Sequence, residues 1–219
     1  MGSRPSSTRG DQTREALVDA AIEIFGRDGF RAASTRSIAD AAGVNQALIG
    51  YHFGGKPGLY LAAFDRITRA VEQHLIPITQ PIEEAFRRGE ADREHCVGYV
   101  LTMIDAIVAT FTLPESEAWA RLILREQQNP SEAFDHLYDR VLGRHLTLMT
   151  GLIAQVRRLD PHSMEARLIS QTVIGQGLVF RSARATVMRH LGWRELGTDE
   201  IATIQAVIRR NVTAMLAGG

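Results

Sequence analysis

Lysine is almost missing from this chain of 219 residues: of its 25 basic side chains, all but Lys56 are arginine. Cysteine is equally scarce. Cys96 stands alone, which excludes an intramolecular disulfide and fits a cytoplasmic protein. Net charge is absent too, because 25 basic residues balance 25 acidic ones. Any contact with nucleic acid must therefore come from a local surface rather than a global field. No apolar run approaches the roughly 18 residues of a membrane span, and the first residues lack the apolar stretch of a secretory signal.

Catalytic fingerprints are missing as well: there is no G-x-S-x-G, no H-E-x-x-H and no G-x-G-x-x-G. The spacings of Cys96 and the seven histidines do not converge on a metal site. His136 with Glu132 and Asp139 reads as a charge cluster on a helix face. Nothing around Cys96 suggests a low-pKa thiolate. No catalytic residue, metal or cofactor is expected. Gly50, Gly55 and Lys56 do fit G-x-x-x-x-G-K, but a phosphate loop needs a strand before it and a hydroxyl after the lysine, where this chain has Pro57.

What is present is helical. The length allows one or two domains, and 45% apolar content is ample for a core. The N-terminal stretch sets Arg4, Arg9 and Arg14 against Asp11, and residues 1–12 read as a flexible basic arm. From Thr13, the residues Leu17, Ala21, Ile24 and Phe25 mark one face of a helix that ends at Gly29. Ser34 or Thr35 then caps a short helix carrying Ile38, Ala39 and Ala42, and Gly43 makes a sharp turn. Asn45 caps the next segment, in which Ile49 and Phe53 share a side while Gln46, Tyr51 and His52 fall on other faces. Short helix, glycine turn and short helix form a helix-turn-helix.

The run "GFRAASTRSIADAAGVNQALIGYHFGGKPGLYLAAF" resembles the DNA-binding domain of TetR-family transcriptional repressors, in which a similar T-x-x-x-I-A-x-x-A-G-V leads to Y-x-H-F or Y-H-F and then a lysine. The resemblance implies an all-α protein, with a three-helix DNA-binding domain over 13–57 and a larger helical effector-binding and dimerisation domain over 58–219. It also implies that Arg36 reaches a base edge, where its planar fork holds guanine. Thr35 is expected to be both cap and phosphate donor. Asn45 and Gln46 open the recognition helix; Gln46 reaches a base or phosphate, and Ala47 and Leu48 touch a thymine methyl. Tyr51, His52 and Lys56 suit phosphate contacts, which position the module without reading sequence. A compact ammonium at the start of a helix, beside free backbone N–H groups, gives the lone lysine a reason. Gly50 departs from the family, which often has tyrosine there.

Beyond Pro57 an apolar stripe of Tyr60, Ala63, Phe64, Ile67, Val71 and Leu75 predicts a helix broken at Pro77 and Pro81. Further helices are expected over 82–89, 93–112, 116–128, 131–158, 163–191 and 199–216, punctuated by Pro114, Pro130 and Pro161. The stretch "RLILREQQNPSEAFDHLY" resembles the C-terminal domain of the CecR-like subgroup of the same family. Arg121 and Arg125 read either as salt-bridged surface groups or as inward groups needing Glu117, Glu126 or an anionic ligand. Candidate effector-lining residues are Met103, Trp119, Leu122, Arg125, Met149, Gln176 and Phe180, although pockets and cores share the same apolar lining. The helices over 131–158 and 163–191 are expected to form a four-helix homodimer interface, with Gly175 and Gly177 allowing close approach.

The reading these features imply is a homodimeric repressor on a pseudopalindromic double-stranded DNA operator, released by a small-molecule effector. An activator or dual regulator would carry the same residues. A small helical enzyme is the alternative of a different class.

Overall fold

The computed structural model describes residues 9–112 and 116–218. Arg4 and Pro114 lie outside the described residues. The order is α1 (Arg9–Ala32), α2 (Thr35–Ala42), α3 (Ala47–Phe53), α4 (Lys56–Arg87), α5 (Arg93–Thr112), α6 (Ser116–Gln128), α7 (Glu132–Leu137), a π-helical turn (Tyr138–Leu142), α8 (Gly143–Arg157), α9 (Met164–Ser182), α10 (Arg184–Leu191) and α11 (Thr198–Ala217). The fold is all-α, a helix-turn-helix followed by a larger helical part. Arg9–Gln12, expected in the arm, form the first turn of α1. Gly29 interrupts that helix with φ 80° and ψ 165°, and a last turn to Ala32 follows.

Two compact units emerge. One comprises the chain up to Arg69 with Ala118–Leu137; the other comprises Ala70–Glu117 and the chain from Tyr138 onward. Compactness thus draws a line different from the expected 57/58 boundary, because the start of α4 and most of α6 share a core with the first three helices. Leu17 and Phe25 of α1, Ile38 of α2, Ile49 of α3, Leu59 and Phe64 of α4 and Leu122 of α6 are essentially inaccessible to solvent. Phe25, Phe30 and Phe64 surround Tyr60 with ring centroids 5.0, 4.9 and 5.2 Å away. A Cβ on Gly26 would stand 2.8 Å from the Ala118 carbonyl oxygen, so glycine is what lets α1 and α6 approach.

In the second unit α5 packs against α8, α9 and α11. Cys96, Val100, Met103, Ile104 and Val108 are buried on it, which makes it the central helix. By length and composition α5 is apolar enough to cross a membrane, contrary to the sequence reading; a core helix contacted on several sides passes the same test. Gly177 of α9 lies so close that a Cβ would meet Ile104 and Val108 side-chain carbons at 3.1 Å. Its close approach is therefore made within the protomer, whereas a Cβ on Gly175 would have no described atom within 4 Å.

Three expected helix limits are corrected. First, α4 continues through Pro77 and Pro81. The two prolines sit four residues apart on the exposed face, where the carbonyls they leave unpaired can be hydrated, while Val71, Leu75, Thr79 and Ile82 are buried on the other side. Thr79 Oγ1 also donates to the Leu75 carbonyl at 3.0 Å. Second, the expected 131–158 helix contains the π-helical turn. His145 packs directly after it, with Nδ1 2.7 Å from the Val141 carbonyl and Nε2 3.2 Å from Thr79 Oγ1. Burial pushes the His145 pKa down, keeping the ring neutral. Third, the expected 163–191 helix breaks at Ala183, φ −109° and ψ 28°, into α9 and α10.

Candidate nucleic-acid interface

The helix-turn-helix is built by local signals. Ser34, extended at φ −104° and ψ 147°, is the N-cap of α2, its side chain accepting the Ser37 N–H at 3.0 Å. The cap role expected of Thr35 therefore belongs to its neighbour. Gly43 ends α2 in the left-handed region at φ 67°. Asn45 Oδ1 then accepts the Ala47 N–H at 2.8 Å, which satisfies a donor at the start of α3. Ile49 is the α3 residue fully buried against the small core.

Groups of hydrogen-bonding type are left outward. The Arg36 side chain is 83% exposed, with Nε 3.9 Å from Asp40 Oδ2. A contact so long and solvated contributes little and leaves the guanidinium available. Tyr51 is 82% exposed, a high value for a large aromatic, and its ring meets His52 edge-on at 5.0 Å. Ala47 and Gln46 are exposed, and Leu48, Thr35 and His52 are half-buried. Gly50 is exposed with no described atom within 4 Å of a Cβ, so the surface is open where the family often has tyrosine.

Lys56 opens α4 after Gly54 and Gly55, which take φ 69° and 121°. Its Nζ donates to the Arg31 carbonyl at 3.3 Å and stands 4.7 Å from the centre of the Phe30 ring. The sole lysine thus ties the start of α4 to the end of α1. A short point charge suits that corner, where a planar fork would have to bridge a carbonyl and a ring face. Two residues on, a Cβ on Gly58 would fall 1.9 Å from the Phe53 carbonyl oxygen. The α3–α4 junction therefore accepts only hydrogen at that position.

Two further residues of this unit escaped the sequence reading in their actual roles. Arg125 is exposed rather than turned inward: Nε donates to the Gly26 carbonyl at 3.3 Å and Nη2 to that of Arg27 at 2.9 Å. It caps carbonyls near the interruption of α1. Arg121 stands 3.8 Å from Glu23. Glu126 is 5% exposed and accepts from the Tyr60 hydroxyl at 2.7 Å and from both N–H and Oγ of Ser131 at 2.8 Å. Burial, reinforced by the bond to Glu126, pushes the Tyr60 hydroxyl pKa up.

The effector candidates are divided between the two units. Trp119, Leu122 and Arg125 belong to the first, and Met103, Met149, Gln176 and Phe180 to the second. Met103, Leu122 and Met149 are solid core, at 1% exposure or less. Gln176 Nε2 lies 3.3 Å from Met215 Sδ, and Phe180 is half-buried. The first unit does hold an open cleft of about 800 Å³ lined by Phe30, Tyr60, Leu61, Arg125, Glu126 and Ser131 among others; of the candidates it includes Arg125 alone. Among the described residues no cluster of three His, Cys, Asp or Glu side chains could hold a metal. Cys96 is fully buried, and burial raises its thiol pKa. His136 reaches Asp65 of α4 at 3.7 Å.

A glycine-turned pair of short helices with an exposed arginine, amide and tyrosine, carried on an all-α chain, defines a DNA-binding transcriptional regulator. Residues 17–63 match the bacterial regulatory proteins of the tetR family, and residues 99–219 match the C-terminal domain of the HTH-type transcriptional dual regulator CecR. The chain belongs to the TetR family of transcriptional regulators, in the group that carries a CecR-type C-terminal domain. It is 27% identical over 218 residues to the transcriptional dual regulator CecR of Shigella flexneri, covering 100% of this chain and 97% of that protein. It is 31% identical over 116 residues to the transcriptional regulator BetI of Brucella anthropi, covering 53% and 55%. The fold is similar to that of a TetR-like regulator from Rhodococcus sp. RHA1, with TM-score 0.67, 17% identity and coverage of 98% and 100%. These relatives are regulators of transcription and not enzymes.

Proposed function

We propose that the protein is a cytoplasmic, homodimeric, ligand-responsive repressor acting on a pseudopalindromic operator. The observation that carries the DNA half is the outward set Arg36, Gln46 and Tyr51 on a helix-turn-helix whose other face is buried. Arg36 and Gln46 read bases, Ala47 and Leu48 pack on thymine methyls, and Thr35, Tyr51, His52 and Lys56 meet phosphates, with Asn45 setting the start of α3. Lys56→Ala is expected to weaken binding to all sequences alike and to flatten the dependence of log K on log salt by about one unit. Arg36→Ala should instead relax the preference at one base pair per half-site by about 1–3 kcal/mol. Fragment selection and titration at two salt concentrations measure both, and equal losses on every sequence from both variants would refute the division of roles.

The dimer half rests on α9. Met164, Leu168 and Val179 are 67%, 57% and 42% exposed, and with Gly175 they line one side of the helix. An exposed apolar stripe of this kind suits a second copy of the chain. The exposed positions of α8 include Arg144, Thr147 and Gln155, so our proposal favours α9 over the 131–158 segment for the contact. Two modules so paired would meet successive major grooves about 34–36 Å apart. Leu168→Arg should yield a folded monomer by light scattering, with operator affinity reduced at least ~100-fold, since single half-site binding forfeits the linked second module. A dimer that persists would place the interface elsewhere.

An effector releases DNA only if it binds better to a conformation in which the recognition helices no longer match the grooves. The matched CecR relative is a dual regulator, which favours a second reading in which this chain also activates. Reporter output from the selected operator, with and without the protein, separates the two.

A further inference from the structure

Gln46 and Thr35 are joined before any DNA is present. Gln46 Nε2 donates to Thr35 Oγ1 at 2.7 Å, bridging the start of α3 to the first residue of α2. Thr35 is a stable post: the Ser34 cap sets its backbone, and its β-branch restricts its own rotation. A primary amide offers two N–H donors and one carbonyl acceptor. If Thr35 takes the hydrogen remote from Oε1, the remaining N–H and Oε1 stand side by side in one plane. Adenine complements that pair in the major groove, with N7 accepting and N6 donating, whereas guanine presents two acceptors. The Thr35 hydroxyl hydrogen stays available for a phosphate, since only a lone pair of Oγ1 is engaged with Gln46.

We infer that Thr35 is a positioning residue for base reading: it orients the Gln46 amide so that each half-site is read for adenine. An amide held in its reading orientation gives up less rotamer freedom on docking than one that must be ordered there. The inference rests on the operator-binding reading and adds which base is chosen and what chooses it.

The test is fragment selection with the full chain and with Thr35→Val, Thr35→Ser and Gln46→Ala, with thermal melts to establish that each variant is folded. The wild type should enrich a half-site containing an adenine whose preference Gln46→Ala abolishes. Thr35→Val should lower the preference at that same position on the order of tenfold, and Thr35→Ser should retain it. In the Gln46→Ala background, Thr35→Val should cause no further loss there. If Thr35→Val weakens all fragments alike and leaves the adenine preference intact, Thr35 is a phosphate contact only and the inference is overturned. It is equally overturned if the Gln46-dependent position selects guanine. Enrichment of no site by the wild type would remove the operator reading itself, an outcome distinct from either of these.

Discussion

Gly58→Ala is expected to destabilise the protein by about 3–4 kcal/mol and to abolish operator binding. The added methyl would lie 1.9 Å from the Phe53 carbonyl oxygen, a backbone atom that cannot rotate away. Relief requires moving the end of α3 or the start of α4. Either movement disturbs Ile49 and Leu59, which are buried on the two helices at 1% and 0% exposure. It would also pull Lys56 from the Arg31 carbonyl and the Phe30 ring. Urea unfolding followed by circular dichroism reads the stability, and a fluorescence-labelled operator reads the binding. Gly50→Ala is the internal control. Its methyl would meet no described atom within 4 Å on an exposed helical position, so the folded state should be unchanged or steadier by about 0.5–1 kcal/mol. Wild-type stability in Gly58→Ala would show that the junction has slack this geometry denies.

Glu126→Ala should cost about 3 kcal/mol, because the buried Tyr60 hydroxyl would lose its acceptor and Ser131 would lose both of its bonds. Glu126→Gln should cost only about 1 kcal/mol. The amide oxygen can still accept from the Ser131 N–H and the amide nitrogen can donate to the Tyr60 oxygen, so one bond to each partner is kept, although the Tyr60 hydroxyl hydrogen loses its acceptor, and a carboxamide should be milder than alanine. A carboxamide as harmful as alanine would overturn that view. The same cluster makes a prediction at high pH. The Tyr60 hydroxyl has its pKa raised in the folded state above the ordinary value of 10.0. Its contribution is therefore complete below that value and is lost as pH climbs beyond it toward the folded-state pKa. Alkaline unfolding should begin above about pH 10 in the wild type, and Tyr60→Phe should remove that component while costing about 1 kcal/mol at neutral pH.

The sequence by itself determined the elements whose signals are local. Asn45 caps, Gly43 turns and Ile38 and Ile49 point inward, because capping and periodicity act over three or four residues and leave their mark in the order of residue types, whereas the choice between Ser34 and Thr35 as the cap of α2 fell to the structure. The boundaries of α5 and α6 were legible for the same reason. The tertiary structure decided what depends on contacts distant along the chain. Pro77 and Pro81 stay inside α4 because burial of the opposite face outweighs two lost amide bonds that open to water. Arg125 caps carbonyls 98 and 99 residues earlier, and Glu126 meets Tyr60 66 residues earlier; no spacing rule connects such positions. Met103 and Met149 were indistinguishable from ligand walls in sequence, since an apolar side chain lines a pocket or fills a core by the same chemistry. The exposed Tyr51 was expected from helical periodicity and the outward Arg36 from the family resemblance, but the bond between Thr35 and Gln46 exists only because the glycine turn folds α2 and α3 against each other.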